Sequence, residues 1–502
     1  MKEKFIVVIL PLILFIIGLL IIFFFTLKGT VIFDIDIARD LLLISEIVNK
    51  KNPTLIGART AIDGVFHGPL WLYLNLPAFL IGKGNPEVIA WFWLVIFIGM
   101  LISVYFIAKK LFDKKIAILS LTLITSSIIC FTKSPTNPFV AVLIFPIFFY
   151  FIFIYFKKSK IIALVSALFL AGLLIQGEMV FGIPILIFAL ILVFYKIFKT
   201  RKFSHFFAIP LVLIPLSSFI LFELTHKFMQ INSLLKYLSS SRSQINLGRI
   251  VDRFLGTIGG IRLFVSSPHE FEKIEFYLNL LPIISIIFLV MKFKEKYKYR
   301  LPVLLFVYFY LGFWLMLFFI STTIHWYYYW PFLGIGAVLM AVAAFENKII
   351  YFLVIGGIIY NLINGVSYFN KKNTIRSFWL GQKEYAFDLF KNAPLKFGYL
   401  INTFDQINNY IPMYTMIFTA KSFPEKNATP FDKEKMSYVI AGPYPDGKPM
   451  DNSWWVINKL HISSKPVKHQ IFPNGYTIEL YSLTDEEIKI QVEPIFDSLQ
   501  YR

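Results

Sequence analysis

The sequence predicts a polytopic α-helical membrane protein with about eleven transmembrane helices and a small C-terminal α/β domain outside the membrane. Three observations carry that prediction. Of 502 residues, 57% are hydrophobic, only 16% are charged, and 56 are Phe, more apolar surface than a soluble domain can bury. Apolar runs of spanning length recur up to about residue 370 and then stop. The net charge of +19 is also unevenly placed. Six short segments between apolar runs (2–4, 109–115, 157–160, 196–202, 292–300 and 346–348) hold nineteen basic and four acidic residues. That is the asymmetry of cytoplasmic loops. It accounts for most of the excess charge, so no nucleic-acid partner is expected.

The first span covers about 5–27. MKEK before it has the charge order of a signal peptide, but the apolar run is too long and no small-residue cleavage site follows, so it reads as retained. The N-terminus is then cytoplasmic. Residues 28–86 form the first outer loop. Within it, Ile37–Val48 carries apolar positions at helical spacing, and Asn49-Lys50-Lys51-Asn52-Pro53 ends the run. Leu70–Ile81 is apolar but too short to span, which suggests a membrane-surface or re-entrant helix.

The remaining spans are about 87–108, 116–132, 138–156, 161–177, 179–198, 206–224, 276–293, 301–321, 330–345 and 349–368. Their alternation requires a very tight outer turn at Gln176-Gly177-Glu178 and places the C-terminus outside. A long outer loop, 225–275, is basic and carries Arg242, Arg249, Arg253 and Arg262. It is either an anion-contacting element or an amphipathic surface helix with solvated arginines. TTIHWYYYWP precedes the tenth span, and its aromatics fit an interfacial belt.

Residues 1–370 therefore form the membrane domain and 371–502 a soluble domain. In the latter, KEYAFDLFKN reads as a helix, and KFGYLINTF, MSYVIAGPY and YTIELYSL as strands. This tail contains no nucleophile elbow, phosphate-cradling Gly loop or HExxH. The single Cys, Cys130, permits neither a disulfide within the chain nor a Cys-based metal site.

Chemistry concentrates between Asp34 and Tyr73. Asp34, Asp36, Asp40 and Asp63 stand there with Arg39, Arg59 and His67, at a bilayer edge where ionisable groups are costly unless used. Asp34 or Asp36 could simply cap a helix. Asp40 lies one turn beyond Asp36 and could orient a substrate or hold Arg39. Asp63 and Glu178 are further carboxylate candidates, with a solvated turn residue as the plain alternative for Glu178. Asp34-Ile35-Asp36 is similar to the Asp-x-Asp of metal-dependent transferases, but two carboxylates in a loop are a weak signal. No metal and no cofactor are expected.

The first loop resembles bacterial members of glycosyltransferase family 39, related to protein O-mannosyltransferases and to the aminoarabinose transferase of lipid A. The matching residues are Asp36, Ala38-Arg39-Asp40, Gly57, Gly64, Phe66, His67-Gly68-Pro69-Leu70 and Tyr73. Asn137-Pro138 and the His325 to Pro331 loop add weaker matches. Ile37 stands where many relatives carry Glu, and His67-Gly68 where many carry Lys-Pro.

The resemblance implies a C-type glycosyltransferase architecture in the plasma (inner) membrane. It implies inverting, metal-independent transfer from a polyprenyl-phosphate sugar to an extracytoplasmic protein, lipid or glycan. Such a transfer needs a base and cations for the departing phosphate: Asp36 is the candidate base, and Asp40 could orient the acceptor or hold Arg39. Arg39, Arg59, His67 and one or more of Arg242, Arg249 and His325 are the candidates for holding the phosphate. Two alternatives remain open: an O-antigen ligase or polymerase-like transferase working from the 225–275 loop, and a lipid-linked-glycan transporter, for which interrupted helices and midplane charges are expected.

Overall fold

A computed structural model of the chain describes residues 8–240, 247–258, 260–265, 273–292, 299–319, 324–371, 376–404, 409–490 and 492. Among the described residues, nine helices are long and apolar enough to cross a membrane. They are Leu10–Leu27, Pro86–Leu111, Lys114–Phe131, Phe139–Lys158, Met179–Thr200, Ile274–Lys292, Arg300–Phe319, Tyr327–Glu346 and Lys348–Asn370. The apolar helix Ile161–Gly177 has 17 residues. The span expected at 206–224 is instead a bent pair, Phe203–Leu213 and Ser217–Thr225, with 61° between its halves. Pro210 lies in the first half and Pro215 at the break. A proline removes a backbone donor and clashes with the preceding turn, which is a sufficient cause for the bend.

The chain divides into two compact units. The first comprises Met1–Phe24, Pro53–Leu74 and Phe92–Tyr368, and the second Phe25–Asn52, Asn75–Trp91 and Phe369–Arg502.

In the first unit, the helix ending at Glu346 is buried almost along its whole length. Leu10–Leu27 and Pro86–Leu111 instead expose rows of Ile, Leu and Phe, as a lipid-facing surface would. The expected outer loop 225–275 folds partly into helices, Met229–Ser240 and Leu247–Ile258. After them, Ile261–Val265 is buried. Asn279 accepts from Phe264 N–H and donates to Phe264 O, at 3.1 and 2.7 Å. Asn361 accepts from Val265 N–H and donates to Leu263 O, at 2.9 and 2.7 Å. Two amide side chains on apolar helices thus satisfy a buried, non-helical stretch of backbone that would otherwise be orphaned.

The second unit holds a five-stranded sheet, ordered β2-β1-β3-β5-β4. The strands are β1 Lys396–Asn402, β2 Asn427–Pro430, β3 Met436–Ala441, β4 Lys468–Ile471 and β5 Thr477–Ser482. β1 pairs in parallel with β2 and β3, and β5 runs antiparallel to β3 and β4. Alternate residues serve two cores. Phe397, Tyr399, Tyr438 and Ile440 join Tyr385, Phe390 and Met416 on one face, and Leu400, Val439 and Tyr481 join Trp455 and Ile462 on the other. The four-residue edge strands β2 and β4 were not expected from the sequence, because runs that short carry too little alternation to be read.

Candidate functional site

In the second unit, the amphipathic run becomes the helix Ile35–Lys50. Asp34 is its cap: the carboxylate accepts the Ile37 N–H at 2.9 Å. Asp36 is thereby released from the capping role and sits in the first turn, with its side chain 53% exposed. Arg39 Nη1 lies 2.7 Å from Asp36 Oδ1, and Arg39 Nη2 lies 2.9 Å from Asp40 Oδ1. Arg39 Nε also donates to Asp40 Oδ1, at 3.1 Å. Burial disfavours the charged guanidinium, but Asp40 and Asp36 outweigh it and hold Arg39 more firmly protonated than a free arginine. The carboxylates of the Asp-x-Asp pattern are thus engaged separately, one by the helix backbone and one by Arg39. Among the described residues, no three His, Cys, Asp or Glu side chains gather as a metal-ligand group would.

The helix start is fixed from behind by residues of the tail. Phe33 N–H donates to Ser377 O and Trp379 N–H to Val31 O, both at 2.9 Å. The Phe33 ring packs on Trp379 and Tyr414, with centroids 4.7 and 5.7 Å apart. An apolar anchor of this kind sets the direction in which the first turn, and so Asp36, enters its surroundings.

In the first unit, residues 57–67 form a tight two-armed turn. Gly57 N–H donates to His67 O at 2.7 Å and His67 N–H to Ala58 O at 2.8 Å, while Arg59 pairs with Phe66. Arg59 and His67 therefore lie on opposite arms, both half-buried, with Asp63 exposed near the tip. Phe66 N–H donates to Gln230 Oε1 at 2.8 Å, and Glu223 accepts from Gln230 N–H at 3.2 Å. At the base of the turn, Gly68 lies against Gln176, so closely that a Cβ would collide with the Gln176 side chain. Gln176 in turn donates to Pro215 O and Ser218 Oγ, at 2.7 and 2.8 Å.

The expected tight outer turn is a single residue. One helix ends at Gly177, the next begins at Met179, and Glu178 lies between them. Asn137 supports it by donating to Gly177 O. Glu178 is not a solvated turn residue but is 1% exposed. Burial pushes its carboxyl up to about 8, against a small opposing effect from the Val180 N–H it accepts at 3.2 Å. Tyr328 lies within its electrostatic range. The first unit thus brings His67-Gly68, Gln176-Gly177-Glu178 and the aromatic loop into one neighbourhood.

That loop is not an interfacial belt. Tyr328, Tyr329 and Trp330 are buried, with Trp330 4.4 Å from the Phe131 ring and Tyr329 5.2 Å from that of Phe313. His325 is exposed and stacks on Tyr327.

Arg242 lies outside the described residues. Arg249 stands in the first turn of Leu247–Ile258, and its side chain is not among those described. Arg253 and Arg262 are buried rather than solvated. Arg253 lies 3.1 Å from Asp252, and Arg262 is pushed down to about 10 by burial, partly offset by Glu275.

Lys133 escaped the sequence reading. It is 1% exposed, donates to Ile22 O at 3.0 Å, and burial lowers its ammonium to about 7. The readable signal was a lysine just past the end of an expected span, on the side that the expected topology places outside and where the charge bias disfavours it.

No protein-family model matches the chain, and no curated protein matches it in sequence. Solved structures do match. ArnT from Cupriavidus metallidurans bound to undecaprenyl phosphate aligns with a TM-score of 0.59 at 11% identity, covering 95% of this chain and 99% of that one. The same protein in the apo state gives 0.57 at 9% identity, with the same coverage. The apo Archaeoglobus fulgidus oligosaccharyltransferase gives 0.47 at 12% identity, covering 90% and 67%. The ArnT likeness shows the fold: this chain has the polytopic helical architecture of the ArnT structures, with a small C-terminal sheet domain.

Proposed function

We propose that the protein is an integral-membrane glycosyltransferase that moves a sugar, with inversion, from a polyprenyl-phosphate donor to an extracytoplasmic acceptor. The observation that carries the reading is the Asp36–Arg39–Asp40 arrangement on a helix whose cap is supplied separately by Asp34. It leaves a half-exposed carboxylate, clamped in direction by a guanidinium that a second, buried carboxylate holds in place. Likeness to a fold solved with undecaprenyl phosphate bound supports the lipid-phosphate donor.

In this reading the acceptor hydroxyl gives its proton to Asp36 as its oxygen attacks the anomeric carbon. The sugar–phosphate C–O bond breaks on the opposite face, and polyprenyl phosphate leaves with the electron pair. Arg39 acts as a positioning residue, since Nη1, Nη2 and Nε are all turned to Asp36 and Asp40. Cations must then steady the leaving phosphate, and Arg59, His67, Arg242, Arg249 and His325 are the proposed contributors. Asp63 and Glu178 are reserve carboxylates. Glu178, protonated at neutral pH, would serve as a hydrogen-bond donor rather than a second base. The donor sugar is already activated by its phosphate, so we assign no cofactor and no metal.

The proposed setting is the inner membrane, with the N-terminus cytoplasmic and the C-terminal domain outside. The test is the product's anomeric configuration, read by NMR after turnover of a donor of known configuration. Inversion supports single displacement with Asp36 as base, and retention contradicts it.

A further inference from the structure

The second unit contains an open cleft of about 310 Å³, the size of a small ligand site. It lies between the chain entering the helix Ile35–Lys50, the start of the helix Trp379–Asn392, and the turns after β1 and β3. Among the described residues, Arg376 is the one charged side chain lining it. Its Nη1 reaches only Asp446 O, at 3.4 Å, and its Nε is buried with no hydrogen-bond partner among the described residues. Gln382 is 4% exposed, and its Oε1 is likewise buried and unpartnered among them. The nearby Asp446 pairs with Lys448 at 2.9 Å, and among the described residues no carboxylate forms an ion pair with Arg376. Phe404 and Tyr444, with centroids 5.8 Å apart, present exposed ring surface on another wall. Ser377, Thr403 and Asn474 add further hydroxyl and amide groups to the lining.

Buried polar atoms without partners cost stability, and a native fold that keeps them at a cleft wall invites a ligand to satisfy them. Aromatic faces beside amide and hydroxyl groups suit a sugar ring, whose apolar face packs while its hydroxyls hydrogen-bond. A guanidinium suits a carboxylate or phosphate.

We propose that this cleft binds an anionic saccharide, the acceptor end of the transfer reaction. Arg376 holds the acidic substituent, Gln382 reads a ring hydroxyl, and Phe404 and Tyr444 take the ring face. The word acceptor rests on the glycosyltransferase reading, whereas binding itself does not.

The experiment is saturation-transfer NMR on the full chain in nanodiscs, with no lipid-linked donor, using glucuronic acid, glucose 6-phosphate and glucose. At least one anionic sugar is expected to bind tenfold or more tightly than glucose, and the two anionic probes tell carboxylate from phosphate. Arg376→Gln should bring it down to the level of glucose, and Gln382→Met should weaken all ring binding severalfold. Equal binding of all three sugars, no binding of any, or binding indifferent to both substitutions at unchanged melting temperature would overturn the proposal. Absent sugar binding alongside Asp36-dependent turnover sinks the cleft alone. Sugar binding without Asp36-dependent turnover sinks the base assignment alone.

Discussion

Arg39 meets Asp40 with two of its nitrogens, Nε at 3.1 Å and Nη2 at 2.9 Å from the same oxygen, and gives its remaining Nη1 to Asp36. The Asp40 side chain is 5% exposed and that of Arg39 14%. Removing Asp40 leaves the enclosed Arg39 with the half-exposed Asp36 as its one remaining carboxylate partner in this arrangement. Asp40→Ala should therefore cost on the order of 3 kcal/mol of stability, visible as a lower melting temperature in detergent. Arg39→Lys, which keeps the charge but not the fork, should lose less stability and more turnover. Equal effects on both readouts would contradict a positioning role.

Gly68 has no room for a side chain. Gly68→Ala drives a methyl into Gln176, which is itself tied to Pro215 and Ser218. A loss of about 1–3 kcal/mol is expected, the usual cost of overpacking. Gln176→Ala in the same chain should restore only part of it, because the Gln176 Cα would still lie 2.8 Å from the new methyl, and a strictly additive pair would show that the side-chain contact is not the cause.

Glu178 gives the protein a pH signature. Its folded carboxyl sits at about 8, above the ordinary 4.5, because burial disfavours the charge. Between those values the unfolded chain is ionised there and the folded chain is not. Stability should fall as pH rises from 4.5 toward 8, by at most about 1.4 kcal/mol per pH unit. Glu178→Gln should flatten that slope in chemical-denaturation curves, and an unchanged slope would refute the assignment.

Glu487 should behave in the opposite sense. Burial would raise its carboxyl, but hydrogen bonds from Thr484 and the Ser463-Ser464 pair outweigh it and hold it down to about 2. Its contribution is present above about 4.5 and is lost as pH falls toward 2. Protection factors of the Ser464 and Glu487 amides, corrected for the intrinsic exchange rate, should fall over that range, and in Glu487→Gln that fall should vanish from an already lower baseline.

Local pattern fixed much of this in advance. The expected helices at 37–48 and 70–81 correspond to Ile35–Lys50 and Leu70–Ile81, because apolar spacing and the breakers around Pro53 are local signals. The three strand runs with clear alternation became β1, β3 and β5. Tertiary placement was not legible. The Glu178 turn and the aromatic loop look like surface in sequence and are buried, since what covers them comes from spans far away in the chain. Lys133 and Arg376 were passed over for the same reason. Asp34 and Asp36 could not be separated as cap and free carboxylate until the Ile37 N–H was seen to choose Asp34.

The most direct measurement is release of polyprenyl phosphate from synthetic polyprenyl-phosphate sugars by the protein in nanodiscs, for wild type and Asp36→Asn at matched folding. Wild-type turnover should fall several hundredfold or more in Asp36→Asn, because the amide cannot take the acceptor proton. Turnover unchanged by that substitution would contradict it.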